Sequence, residues 1–165
     1  MPAAERDAEE QIVVFQVGKD VYGVSICHVQ EIIATQSISR IPLAPERIKG
    51  VIDLRGKVIP VVDLRQCLGL SPGDSSKSTR IIVVRVKENT VGIVVDNASE
   101  VLRIPAEVVE PPSRVLTRNQ TEYFGGIAKI SGRLIGLLDL EKVLGPSISD
   151  NHATSASKGL VGAPT

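Results

Sequence analysis

The stretch Gly50-Val-Ile-Asp-Leu-Arg-Gly-Lys-Val-Ile-Pro-Val-Val-Asp-Leu64 decides the reading of this chain, because it occurs twice. At an offset of 76 stands Gly126-Ile-Ala-Lys-Ile-Ser-Gly-Arg-Leu-Ile-Gly-Leu-Leu-Asp-Leu140, and Gly50, Gly56, Ile59, Asp63, Leu64, Leu68 and Gly69 all recur identically. Each copy is a pair of aliphatic runs around a two-residue link ending in glycine, which predicts a β-hairpin.

Working outward, a second hairpin repeats. Gln11-Ile-Val-Val-Phe-Gln-Val-Gly-Lys-Asp-Val-Tyr-Gly-Val24 aligns with Arg80-Ile-Ile-Val-Val-Arg-Val-Lys-Glu-Asn-Thr-Val-Gly-Ile93 at an offset of 69, placing Gly23 on Gly92 and Glu31 on Glu100. The chain is therefore an internal duplication. The change of offset puts about seven extra residues between Glu100 and Gly126, in a connection punctuated by Pro105, Pro111 and Pro112. A connection of that length is rarely mere filler.

The 165 residues include 22 Val and 17 Ile. Such β-branched side chains, stiff at χ1, favour pleated strands. Two units of roughly 65 residues, each with four or five short strands, predict a mainly β protein of two small barrels packed on one another. Closure removes the exposed edges that would otherwise aggregate. Helix is expected only over Cys27–Ala34, where Val29, Ile32 and Ile33 have helical spacing, and in single turns after Asp63 and Asp139. Each aspartate precedes a Leu-x-x-x-Leu-Gly turn, the place for an N-cap rather than a general base. Residues 1–10, the link Ser71–Thr79 and the Ser/Ala/Gly-rich residues 146–165 are expected to lack fixed structure.

Charge and composition exclude several activities. Lys and Arg number 19, matched by 19 Asp and Glu, so no basic footprint for a phosphate backbone is left. Four aromatic residues (Phe15, Tyr22, Tyr123 and Phe124) are too few for a stacking platform. Two lone cysteines, Cys27 and Cys67, with His28 and His152 assemble no metal site, and both thiols are expected to act as small hydrophobes in a reducing compartment. The acidic N-terminus has no apolar core for a targeting signal, and no run approaches membrane-spanning length, so a cytosolic protein is expected. Neither histidine has a nucleophile partner, and the one Gly-Lys pair, Gly56-Lys57, lies inside a hairpin rather than before a helix. No catalytic residue, cofactor or metal is expected, and a binding module remains.

Two residues stand out for binding. Arg55 occupies a hairpin tip where the second copy has Ser131, so the fold itself is not expected to need charge there. A guanidinium on a tight turn is pre-placed for a bidentate contact. Glu31 interrupts the apolar Val29-Gln-Glu-Ile-Ile segment, and Arg55 is its expected partner.

These residues resemble the CheW-type chemotaxis coupling family. The likeness rests on Phe15-Gln-Val-Gly with Val21-Tyr-Gly-Val-Ser-Ile, Val29-Gln-Glu-Ile-Ile, Ile41-Pro, Ile48-Lys-Gly-Val-Ile-Asp-Leu-Arg-Gly-Lys-Val-Ile-Pro-Val-Val-Asp-Leu-Arg, Val91-Gly-Ile-Val-Val-Asp, Glu100-Val-Leu, and Gly126-Ile-Ala with Leu138-Asp-Leu. It covers residues 11–145 in order. The resemblance implies one CheW-like domain of two five-stranded SH3-like barrels, from a first copy at about 11–70 and a second at about 80–145, leaving open whether strands are exchanged between them. It further implies a non-enzymatic scaffold, cytoplasmic and recruited to receptor arrays at the inner face of the membrane. Its implied partners are the cytoplasmic tip of methyl-accepting chemoreceptors and the regulatory domain of a CheA-type histidine kinase. The implied receptor groove is lined by Val29, Glu31, Gly50, Arg55, Ala98 and Val101, a helix-in-groove mode. The implied kinase contacts lie near Glu110 and Val115. An adaptor of the same fold in type IV pilus motility or surface sensing, and a small-ligand-binding barrel, are the competing readings.

Overall fold

The computed structural model describes residues 9–44, 47–71, 73, 76–111 and 123–145. Strands dominate: β1 (Glu10–Val17), β2 (Asp20–Ser25), β3 (Val29–Ala34), β4 (Ile48–Leu54), β5 (Lys57–Asp63), β6 (Arg80–Val86), β7 (Asn89–Val95), β8 (Asn97–Ile104), β9 (Val109–Glu110), β10 (Phe124–Ile130) and β11 (Arg133–Leu138). Helix α1 (Leu64–Leu68) follows β5, and α2 (residues 140–145) follows β11. β1 begins at Glu10, within the stretch expected to lack structure. Residues 1–8 and 146–165 lie outside the described residues.

Four two-residue hairpin turns build the framework, and each opens with a residue of positive φ: Gly18 (65°), Arg55 (53°), Lys87 (57°) and Ser131 (51°). Gly56 and Gly132 follow in the same left-handed region at 86° and 77°, so the Arg55-Gly56 and Ser131-Gly132 links have both central residues at positive φ. That twist matches the right-handed twist of the flanking strands.

The strands form two sheets, ordered β3-β6-β7-β5-β4 and β8-β1-β2-β11-β10-β9. The first sheet takes β3, β4 and β5 from the first copy but β6 and β7 from the second, and the second sheet takes β1 and β2 in return. The copies thus trade their leading hairpins. The exchange is symmetric to the residue: the parallel seam pairs Val61 with Gly92 in one sheet and Leu137 with Gly23 in the other. Glycine recurs there for a steric reason. A Cβ on Gly23 would meet Ile12 Cδ1 at 2.9 Å, and one on Gly92 would meet Ile81 Cγ2 at 2.9 Å.

Strand alternation sorts the core. Ile12, Val14, Ile104, Ala128 and Ile135 fill one barrel, while Ile52, Ile59, Val61, Ile81 and Val83 fill the other. The odd residues Val13, Phe15 and Val17 of β1 and the even residues Ile82, Val84 and Val86 of β6 point instead into the largest cluster, between the barrels. β1 and β6 are therefore buried on both faces, which is why they read as unbroken apolar runs rather than alternating ones. The few aromatics meet in the same cluster, with Tyr22 stacked between Phe15 at 6.0 Å and Phe124 at 6.1 Å. Cutting Phe15 to alanine there would cost about 3–5 kcal/mol.

Both predicted caps form. Asp63 Oδ1 accepts from the Arg65 amide at 3.0 Å, Gly69 closes α1 at φ 76°, and Asp139 Oδ1 accepts from the Lys142 amide at 3.3 Å. The helix expected over Cys27–Ala34 is absent. Only Ile26–His28 makes a 3-10 turn, and Val29–Ala34 is the edge strand β3, antiparallel to β6. Cys67 is buried as expected, but Cys27 is exposed on that turn. The described part of the link is tied down: the Ser71 carbonyl accepts from Arg65 at 2.9 Å, and Thr79, only 4% exposed, accepts from the Ser76 amide.

Candidate functional site

β3 and β4 are the two outer strands of the first sheet. Arg55, in the turn that follows β4, reaches across to Glu31 on β3 and donates through Nη1 and Nη2 at 2.6 and 2.5 Å. The fork is bidentate, the geometry that distinguishes Arg from Lys. That hydrogen bonding, with the guanidinium charge, holds the Glu31 carboxyl below its ordinary range and pushes Arg55 up. Arg55 is 70% exposed, so screening leaves orientation as the main effect of the pair.

The second barrel solves the same gap differently. Glu100 lies on the outer strand β8, and Arg133, the first residue of β11, donates to it at 3.1 Å. Arg133 stands at the position of Lys57, two residues beyond Ser131. Ser131 makes the same turn as Arg55 without a charge, and the cation that meets Glu100 stands two residues beyond the tip.

Val29 and Ala98 are equivalent positions at the starts of β3 and β8, and both are half-buried against the cluster between the barrels. Val101 is 50% exposed, and its counterpart Ile32, which the sequence reading passed over, is 40% exposed. The alignment of Glu31 with Glu100 would have pointed to Ile32 one residue later. The β3 and β8 edges thus present the same series, a half-buried small aliphatic residue, a paired glutamate and an exposed aliphatic residue.

Gly50 has another partner than expected. It is buried, and a Cβ there would fall 2.1 Å from the Ser39 carbonyl oxygen. Ser39 and Val51 exchange backbone hydrogen bonds at 2.8 and 2.9 Å, so the chain leaving β3 folds back onto β4 at this point. The close approach that Gly50 permits is to its own chain.

Glu110 lies in β9 and pairs with Ile127. Val115 lies outside the described residues. Among the described residues, no group of three or more His, Cys, Asp or Glu is placed to hold a metal ion, and no helix is long and apolar enough to cross a membrane. Both barrel interiors are filled by aliphatic side chains.

Comparison with known proteins agrees with this architecture. Residues 11–146 match the CheW-like domain model. The chain is 35% identical over 149 residues to Chemotaxis protein CheW of Klebsiella aerogenes, covering 88% of this chain and 90% of that one. It is 34% identical over 140 residues to Chemotaxis protein CheW of Thermotoga maritima, covering 82% and 88%. The crystal structure of the scaffolding protein TtCheW from Thermoanaerobacter tengcongensis superposes with a TM-score of 0.76 at 38% identity, over 82% of this chain and 92% of that one. With a duplicated strand order, a match along nearly all of its folded length and a shared three-dimensional form, this chain belongs to the CheW-like domain family.

Proposed function

We propose that this chain is a non-enzymatic chemotaxis adaptor, working in the cytoplasm at the inner face of the membrane. It joins the cytoplasmic tip of methyl-accepting chemoreceptors to the regulatory domain of a CheA-type histidine kinase. The observation that carries this reading is the Glu31–Arg55 fork. A non-glycine residue is held at positive φ on a hairpin tip, and its side chain fixes the edge strand bearing Val29. Relatives named as chemotaxis CheW proteins and a scaffolding protein support the same reading.

In this reading a receptor helix lies along the β3 and β8 edges. Val29, Ala98 and Val101 supply apolar contact, and Glu31 with Arg55 fixes the wall. Gly50 acts indirectly, by letting Ser39 close the end of β4. The kinase domain docks elsewhere, near Glu110 and Val115, so that two partners share one rigid body and each biases the other's binding.

Titration with a receptor cytoplasmic fragment and a kinase regulatory domain, for wild type and Arg55→Glu, tests this. Receptor affinity lost with kinase affinity kept is the expected result. Binding to neither partner would overturn the proposal, and binding only to partners from a pilus-motility system would move the adaptor to that pathway.

A further inference from the structure

Ala98 owes its place to bonds made by the residues on either side of it. The chain passes from β7 in one sheet to β8 in the other through a single residue, Asp96. Its amide donates to the Gln16 carbonyl at 2.8 Å. Its carboxylate Oδ2 accepts from the Gly18 amide and from Arg65 Nη2, both at 2.7 Å, so one oxygen joins the β1–β2 turn of one barrel to α1 of the other. Asn97 Nδ2 donates to Gln16 Oε1 at 3.1 Å. Ala98 then pairs with Phe15 and Glu100 with Val14, which leaves Ser99 as the extra residue of a bulge, its hydroxyl donating to the Val14 carbonyl at 3.3 Å. A bulge re-aims the side chains beside it. Asp96, Asn97 and Ser99 are each tied by a side chain, and Ala98 is carried between them.

The equivalent crossing is built without that brace. From β2 to β3 the chain passes through the Ile26–His28 turn, where Cys27 takes the place of Asp96, Lys87 that of Gly18 and Glu141 that of Arg65. Among the described residues no ion pair forms there, and His28 Nδ1 meets the Arg85 carbonyl at 3.2 Å instead. Gln30 is bulged as Ser99 is. The fold thus closes one of its two crossings with no arginine–aspartate pair, and the pair at the other serves the β8 edge in particular. Arg65 itself is enclosed. Its Nη1 donates to the Ser71 carbonyl at 2.9 Å, its side chain is 20% exposed, and the cleft it shares with Gly73 and Thr79 of the link has about 20 Å³ of free space. Its guanidinium is spent on the link and on Asp96.

We propose that Arg65 and Asp96 are positioning residues for the receptor face. They touch no partner themselves; they hold the start of β8 so that Ala98 and Val101 meet the receptor helix in one fixed place. The inference rests on the receptor reading given above and adds to it the groups that set its second edge. A recognition residue is placed only as well as the bonds behind it allow, and a carboxylate shared by a guanidinium and a backbone amide is a strong bond of that kind. The link between the copies, anchored on the same guanidinium, is part of the brace.

Titration of the full chain with a receptor cytoplasmic fragment and with a kinase regulatory domain, for Arg65→Met, Asp96→Ala and Asp96→Asn, tests the proposal, with amide hydrogen exchange read on each variant. Arg65→Met and Asp96→Ala are expected to weaken receptor binding about tenfold, the order of one charge-assisted hydrogen bond, and to leave kinase binding as it was. Exchange at Asn97–Val101 is expected to quicken in those two variants while Val29–Ile33 stays protected. Asp96→Asn, whose amide oxygen still accepts from both donors, is expected to recover most of the receptor affinity. Where Arg65→Met or Asp96→Ala fails to fold, Arg65→Lys carries the test, since it keeps the charge but offers one nitrogen to two acceptors. Unchanged receptor affinity in the folded variants would overturn the proposal, and so would equal loss toward receptor and kinase, the mark of general destabilisation. Asp96→Asn as weak as Asp96→Ala would make the charge itself the contact and overturn it too. Wild-type protein that binds no receptor fragment would instead overturn the receptor reading, and this inference with it.

Discussion

Arg55 and Arg133 reach equivalent carboxylates from positions two residues out of step: Arg55 from the hairpin tip to Glu31, Arg133 from the strand beyond the tip to Glu100. The contact between outer strand and hairpin is therefore kept in both barrels while its cation has moved. Only in the first barrel does the charge lie on the turn itself.

Exchanging the two charges tests the first pair. Arg55→Glu alone sets two carboxylates against each other, and receptor-fragment affinity is expected to fall at least about tenfold, which corresponds to about 1.4 kcal/mol of binding. Combining it with Glu31→Arg restores the fork in reverse and is expected to recover much of the loss. Calorimetric titration of both variants decides the matter; a double variant as weak as the single one would show that Arg55 contacts the receptor directly rather than through Glu31.

The same pair sets a pH limit. The Glu31 carboxyl is held low by the Arg55 hydrogen bonds, so its contribution is fully present above the unfolded carboxylate value near ~4.3 and is lost as pH falls through the lower folded value. Resonances of the Glu31 carboxyl and the Arg55 guanidinium are expected to stay constant from neutral pH to about 5 and to move only below the ordinary carboxylate range. A midpoint at or above the ordinary value would contradict the fork.

Glycine at the parallel seam gives an asymmetric prediction. Gly23→Ala and Gly92→Ala are each expected to cost about 1–3 kcal/mol by overpacking. Gly23 is crowded by Ile12 Cδ1, an atom that valine lacks, whereas Gly92 is crowded by Ile81 Cγ2, which valine keeps. Ile12→Val should therefore rescue Gly23→Ala in part, with Ile135 Cγ2 and Leu137 Cδ2 still at 3.3 Å from the new methyl, and Ile81→Val should fail to rescue Gly92→Ala. Denaturant unfolding in two double-mutant cycles reads the difference.

Gly50→Ala is expected to destabilise the protein by about 1–3 kcal/mol, because a Cβ would strike the Ser39 carbonyl. The Ser39–Val51 amides should lose hydrogen-exchange protection before the rest of the sheet. Uniform loss across both barrels would refute the local account.

The thiols should separate cleanly. Burial pushes Cys67 up to about 11, and the residue is only 4% exposed, while Cys27 is exposed. At pH 8 a thiol reagent is expected to modify one cysteine in the native protein and the second only on unfolding. Rapid modification of both would place Cys67 wrongly.

How much of this was legible beforehand depends on the range of each signal. Hairpin turns and helix caps are local, and Arg55-Gly56, Asp63 and Asp139 announced them. β3 was misread because Ile32, an aliphatic residue on the outer face of an edge strand, combines with Val29 and Ile33 to imitate helical spacing; the half-buried residues are in fact Val29, Glu31 and Ile33. Cys27 looked apolar by its neighbours, but the 3-10 turn faces it outward. The Glu31–Arg55 partnership was readable from charge and the hairpin. The Arg133 substitute and the Ser39 contact of Gly50 were not, since they depend on which segments fold together across the barrel.

The traded hairpins have a consequence for the chain as a divisible object. Neither half of the sequence contains a barrel: each holds three strands of one sheet or more and two of the other, and the seam that completes the second sheet joins residues as distant as Gly23 and Leu137. A cut in the link between the copies would release two fragments with open sheets, not two domains, and their route back to order is association with each other. Such seams form late, because long loops must close first, so a ribosome-bound first half waits for the second before either barrel exists.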